Sequence, residues 1–271
     1  MKKTLLLLFT ALLAFGFAQS EENYDDLVGV SIASNVDQIQ IGSDFYVIVK
    51  LNIDGEWHVY WKNPGDSGLP THIEWDTPKG VNKVGGLVWQ VPKRIEFSGM
   101  INYGLEGEVY LLQKFTTDRA TKLDKIKIKA DVSWLVCKDI CIPQDESVSL
   151  ELAVGSKFKK SSSDGLVNEL LASAPKSFES PNSTFEIDDE VSIELKDRPA
   201  DLASVTDIYL ITESIIDNTK PVEIENDSDE VEIEMSVSPY IETTPAELEL
   251  LVLYKDKNGK NKSYETIIQN K

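Results

Sequence analysis

The sequence predicts an all-β protein: one β-sandwich, a short helix, then a second and smaller β-sandwich. Three observations predict it. Several segments alternate apolar and polar residues with a period of two, as strands with one buried face do. Gly and Pro clusters punctuate those segments. One stretch alone carries apolar residues at helical spacing.

Taken in chain order, residues 1–20 have the layout of a secretory signal peptide. Lys2 and Lys3 precede an apolar run from Leu5 to Phe17, and Ala18 and Ser20 are small residues suited to cleavage. The run is too short for a comfortable membrane span. No cysteine lies near the cleavage region, which argues against a lipid anchor. The mature chain is therefore expected outside the cytoplasm and not inserted in a membrane.

Strands are expected over Leu27–Ile32, Phe45–Ile53 and Glu108–Phe115, with turns at Asn63-Pro64-Gly65-Asp66 and Pro78-Lys79-Gly80. From Lys125 to Trp134 the alternation is clean: Ile126, Ile128, Ala130, Val132 and Trp134 share one face. Ser147–Val154 repeats the pattern with Val148, Leu150, Leu152 and Val154. Many short strands with such turns indicate a sandwich or a barrel. Residues 21–155 form this first unit.

Composition shifts at residue 156. Gly155–Ser163 is polar and expected to be flexible. Asp164–Ala174 predicts a short helix, with Leu166, Val167, Leu170 and Leu171 at helical spacing, Ser163 or Asp164 as its cap and Pro175 after its end. Residues 156–175 are thus a linker and helix, and 176–271 a second domain. In that domain Val191, Ile193 and Leu195 alternate, as do Val231, Ile233, Met235 and Val237, and Leu248, Leu250 and Val252. It contains neither cysteine nor histidine, so catalysis is expected elsewhere.

Loss of Lys2 and Lys3 with the leader takes the formal charge from −19 to −21. Such acidity argues against nucleic acid or an anionic membrane surface as partner.

Chemistry concentrates at Cys137 and Cys141, the only two cysteines. An exported chain with one pair normally has it oxidised. The partners lie four residues apart, in the connection between the strands ending near Val136 and starting near Ser147. A bridge that closes so small a loop restricts the unfolded chain by only ~2 kcal/mol in the entropic description, against ~3 kcal/mol for fifteen residues. A loop carried by a rigid scaffold is also where function concentrates. A redox-active pair fits these facts better than a staple. Two alternatives stay open: a binding module whose loop the bridge merely shapes, and copper(I) handling by the two thiolates with His58 and His72. The ligand set is too small for structural zinc, and neither a metal nor another cofactor is expected.

Three separated stretches then bring a family into view. They are Glu56–Pro70 (EWHVYWKNPGDSGLP), Ile101–Val109 (INYGLEGEV) and Val132–Pro143 (VSWLVCKDICIP). In this order they resemble the N-terminal periplasmic domain of the thiol:disulfide interchange protein DsbD, in the branch close to the copper-tolerance protein ScsB. The likeness covers residues 27–155, and more weakly the helix and second sandwich. It implies an immunoglobulin-like sandwich in the periplasm. It also implies an electron carrier of the protein-disulfide reductase type, which draws on a separate membrane electron donor and serves thioredoxin-like thiol proteins. Cys137 and Cys141 match the catalytic pair, the second being the attacking sulfur. Asn102, Tyr103 and Gly104 match the cap loop, whose aromatic side chain shields the pair. Trp57, Trp61 and the Asn63–Pro70 turn would shape the scaffold around it.

Overall fold

A computed structural model describes residues 26–271, so the expected leader lies outside the described residues. Eleven strands make up most of the first sandwich. They are β1 (Val28–Ser34), β2 (Val36–Gln40), β3 (Asp44–Ile53), β4 (His58–Gly65), β5 (His72–Asp76) and β6 (Val81–Val88). Then follow β7 (Lys93–Phe97), β8 (Met100–Glu106), β9 (Glu108–Thr117), β10 (Lys125–Cys137) and β11 (Cys141–Gly155). One sheet runs β1-β3-β9-β6. The other is built on β2-β11-β10-β4-β8-β7, with β5 also paired to β10.

The alternation of β10 is realised in full: Ile126, Ile128, Ala130, Val132, Trp134 and Val136 are all buried. They meet Val47, Val49, Leu51, Leu111 and Phe115 of the facing sheet in the core. Each large side chain of this kind contributes roughly 1.5–3 kcal/mol relative to exposure, so the face contributes substantially to stability.

The segment expected as a flexible linker is packed instead. β12 (Lys159–Lys160) pairs with β2, and α1 (Asp164–Ser173) lays Val167 on Ile48 and Leu112. Those two residues face outward from the four-stranded sheet, and the helix covers them. A polar linker sequence and a docked conformation are compatible here because backbone pairing with β2 needs no apolar side chains.

The second sandwich comprises β13 (Lys176–Ser177), β14 (Thr184–Ile187), β15 (Glu190–Leu195), β16 (Leu202–Leu210), β17 (Glu223–Asn226), β18 (Val231–Ser236), β19 (Glu247–Asp256) and β20 (Asn261–Asn270). Its strands follow the order β16-β19-β20-β14-β15-β18-β17 and fold over one apolar core that includes Phe185, Ile193, Ile233, Leu250 and Ile268. Asn226 bonds both backbone groups of Val205, so the two ends of the sheet are drawn together.

The two sandwiches share buried surface. Tyr209 and Leu251, on the outer side of the second, join the core of the first. Tyr209 meets Tyr103 and Trp61 edge-on, with ring centroids 4.9 and 6.3 Å away. Arg94 lies 4.4 Å over the Tyr209 ring, pairs with Asp207 and donates to the Ile208 carbonyl. Burial desolvates the guanidinium, but the carboxylate, the carbonyl and the aromatic face together outweigh that cost and keep it charged.

Candidate functional site

The site starts with the β10–β11 hairpin. The strands extend further than the sequence pattern indicates, up to the cysteines themselves. Cys137 and Cys141 are the last register pair, joined by the three-residue turn Lys138-Asp139-Ile140. Residues 142–146 contain Pro143 and three polar side chains, which hides the strand from a periodicity reading. Pro143 is tolerated because β11 is an edge there: its pairing with β2 involves only Ala153–Gly155.

The two sulfurs are bonded to each other, with α-carbons 4.2 Å apart. Their surroundings differ sharply. Cys137 is fully buried, whereas Cys141 is exposed. Cys141 is thus the more accessible of the two residues.

Register decides which side chains share this face. Cys137 pairs with His58 of β4, and His58 pairs with Glu106 of β8. Tyr60, two residues along β4, lies on the same face and pairs with Gly104. The Tyr60 hydroxyl donates to Cys137 Sγ at 3.1 Å and lies 3.7 Å from Cys141 Sγ. Burial raises the pKa of Tyr60, only partly offset by its bond with Ser67, so the group stays a proton donor.

The segment expected to cap the pair is not a loop: Asn102, Tyr103 and Gly104 lie within β8. Period two places Asn102 and Gly104 on the disulfide's face and Tyr103 on the opposite one. The Tyr103 ring is buried against Trp61 and Tyr209, and its hydroxyl donates to Asn218 of the second sandwich. The aromatic side chain beside the sulfurs is Tyr60.

The Asn63–Pro70 turn covers Tyr60. Gly68 has φ +97°, and a Cβ there would stand 2.2 Å from the Tyr60 ring, so this position needs glycine for both conformation and space. Asn102 anchors the turn by accepting from Ser67 N at 3.1 Å and Ser67 Oγ at 2.9 Å. At Gly104 a Cβ would lie 3.2 Å from the His58 ring.

His58 is 3 % exposed, and its Nε2 is buried without a hydrogen-bond partner. Burial lowers its pKa against an opposing pull from Glu106. The imidazole is therefore neutral at neutral pH. His72 is exposed on β5 opposite Ser133, away from His58. Among the described residues no three His, Cys, Asp or Glu side chains gather as a metal site. Lys138 pairs with Glu56 at 2.8 Å, an exposed contact that trims the turn and contributes little energy.

The family described as thiol:disulfide interchange protein DsbD, N-terminal, matches residues 26–153. Residues 26–153 belong to the DsbD N-terminal family. Among solved structures, the N-terminal periplasmic domain of ScsB from Proteus mirabilis superposes with a TM-score of 0.61 at 15% identity, covering 91% of this chain and 95% of that one. That likeness extends through both sandwiches and bears out the two-sandwich fold. The DsbD N-terminal domain of Neisseria meningitidis, in its reduced form, matches at 13% identity and a TM-score of 0.30, covering 49% of this chain and 91% of that one. No curated protein sequence matches the chain. Family and cysteine pair together make the first DsbD-type sandwich a thiol–disulfide exchange domain.

Proposed function

We propose that this chain is a periplasmic electron carrier that exchanges its Cys137–Cys141 disulfide with thioredoxin-like thiol proteins and is recharged by a separate membrane electron donor. The observation that carries the reading is the asymmetry of the pair, one cysteine exposed and the other buried beside a hydroxyl donor.

In the recharging direction a donor thiolate attacks Cys141 Sγ. The Cys137–Cys141 bond breaks, and Cys137 departs with the electron pair as a thiolate. A buried thiolate is costly unless a hydrogen bond meets it, and the Tyr60 hydroxyl is in place to do so. The donor's second thiol then displaces Cys141, leaving a reduced pair and an oxidised donor, two electrons transferred. In the forward direction the Cys141 thiolate attacks a partner disulfide, a mixed disulfide forms, and Cys137 resolves it. The shielding expected of the cap falls to Tyr60 and the turn above it, while Asn102 and Gly104 support that turn and the neighbouring strand.

The test uses single-cysteine variants with a thioredoxin-like protein as the disulfide substrate. Cys141→Ser should abolish the mixed disulfide, and Cys137→Ser should trap it as a stable covalent complex. Wild-type reduction rates in both variants would end this reading.

A further inference from the structure

The second sandwich carries no cysteine, yet it holds the turn that lies over the site. Asn63 Nδ2 donates to the Leu210 carbonyl at 2.8 Å, and Asn63 Oδ1 accepts from Gly65 N at 2.9 Å. Three residues on, Asn218 Nδ2 donates to Asp66 Oδ1 at 2.7 Å, while Asn218 Oδ1 accepts from the Tyr103 hydroxyl. Asp66 in turn is tied to β8, accepting from Ile101 N at 2.8 Å and donating its own N–H to the Ile101 carbonyl at 3.0 Å. The second sandwich thus grips the turn at Asn63 and at Asp66, and the next two residues, Ser67-Gly68, bear on Tyr60.

We propose that Asn218 is a positioning residue for the exchange site: with Leu210 it clamps the Asn63–Gly68 turn over Tyr60, which keeps Cys137 sealed and directs incoming thiolates to Cys141. The inference rests on the exchange reading and adds to it what the second sandwich is for. The path is short and physical. Asn218 holds Asp66, the chain runs directly from Asp66 into Ser67 and Gly68, Asn102 anchors Ser67, and the Tyr60 ring beneath them donates to Cys137. A half-buried ion pair, Lys62–Glu265 at 2.7 Å, also joins the sandwiches; it sits on the residue before Asn63 and bonds to none of the side chains of the turn itself.

The test reads burial of one sulfur and needs no partner protein. In the full chain carrying Cys141→Ala, Cys137 is the sole thiol, and its alkylation by iodoacetamide is followed by mass. Adding Asn218→Ala should speed alkylation about fivefold, the factor that corresponds to one hydrogen bond, while Glu265→Ala should stay within about twofold of the parent. Asn218→Asp, which sets a carboxylate against Asp66, should speed it at least as much as Asn218→Ala. Thermal unfolding of the same samples reports any general loosening. The proposal is overturned if both Asn218 variants leave Cys137 as protected as in the parent. It is equally overturned if Glu265→Ala exposes Cys137 to the same degree, since that result assigns the protection to domain docking in general. Because alkylation involves no exchange, a failed clamp leaves the exchange chemistry standing, and failed exchange in the cysteine variants leaves the clamp measurable.

Discussion

The two sandwiches are made of the same material and put to different use. Both bury a period-two apolar face, and both are antiparallel for the most part. In the first, the outer face near the end of β10 is covered by a turn and carries a disulfide, a buried imidazole and a tyrosine hydroxyl aimed at sulfur. In the second, the outer face of β16 and β19 carries Tyr209 and Leu251, and its task is to adhere. A sheet can thus serve as a reaction floor or as a docking wall, depending on what the side chains between the core positions are.

The largest effect should come from breaking the wall. Tyr209→Ala removes a ring held by Trp61, Tyr103 and Arg94, and should cost about 3–5 kcal/mol, the range for deleting a buried aromatic side chain. Calorimetry should show one unfolding transition for the wild type and two for the variant. A lone transition with an unchanged midpoint would mean that the sandwiches do not depend on each other.

A smaller effect tests the floor. Tyr60→Phe keeps the ring under Gly68 and deletes the donor to Cys137 Sγ. The rate of attack by a partner thiolate should fall about tenfold or more, as expected for a hydrogen bond to a charged group, with the melting temperature nearly unchanged. An unaltered rate would remove Tyr60 from the mechanism and leave it a packing residue.

The smallest effect is a pH dependence peculiar to the first sandwich. Burial holds the folded pKa of His58 below its ordinary 6.5, with Glu106 pulling the other way. As pH falls through 6.5, the unfolded chain takes up a proton at His58 that the folded chain refuses. Stability is therefore present in full above 6.5 and declines as pH drops toward the folded value. Melting curves above and below that pH should show the wild type losing more than His58→Asn does. Equal losses would mean that His58 is protonated in both states.

Much of this was legible in the residues. Ile126 to Trp134, Val191 to Leu195 and Val231 to Val237 announce their strands because alternation records one buried face. Cys137 and Cys141 stand out as the only thiols, and the Asn63–Pro70 turn announces itself by Pro and Gly. Tyr60 was harder. Its place beside the sulfurs follows from the register of β4 on β10, a long-range pairing that no local pattern encodes. Tyr103 fails as a cap by one residue of parity, since a single step along a strand exchanges one face for the other. The docking wall left a trace that alternation alone passes over: Leu250-Leu251-Val252-Leu253 is apolar on both faces, as a strand buried on both sides must be. The clamp residues Asn63, Asp66 and Asn218 are ordinary turn residues in sequence, and only the fold brings them together.

The central claim is that the Cys137–Cys141 bond opens and closes in service. Equilibrating the folded protein in redox buffers of known poise and counting free thiols by alkylation and mass gives its reduction potential directly. The account predicts a value above about −300 mV, where exchange-active pairs lie, and a value well below that, the range of structural disulfides, would contradict it.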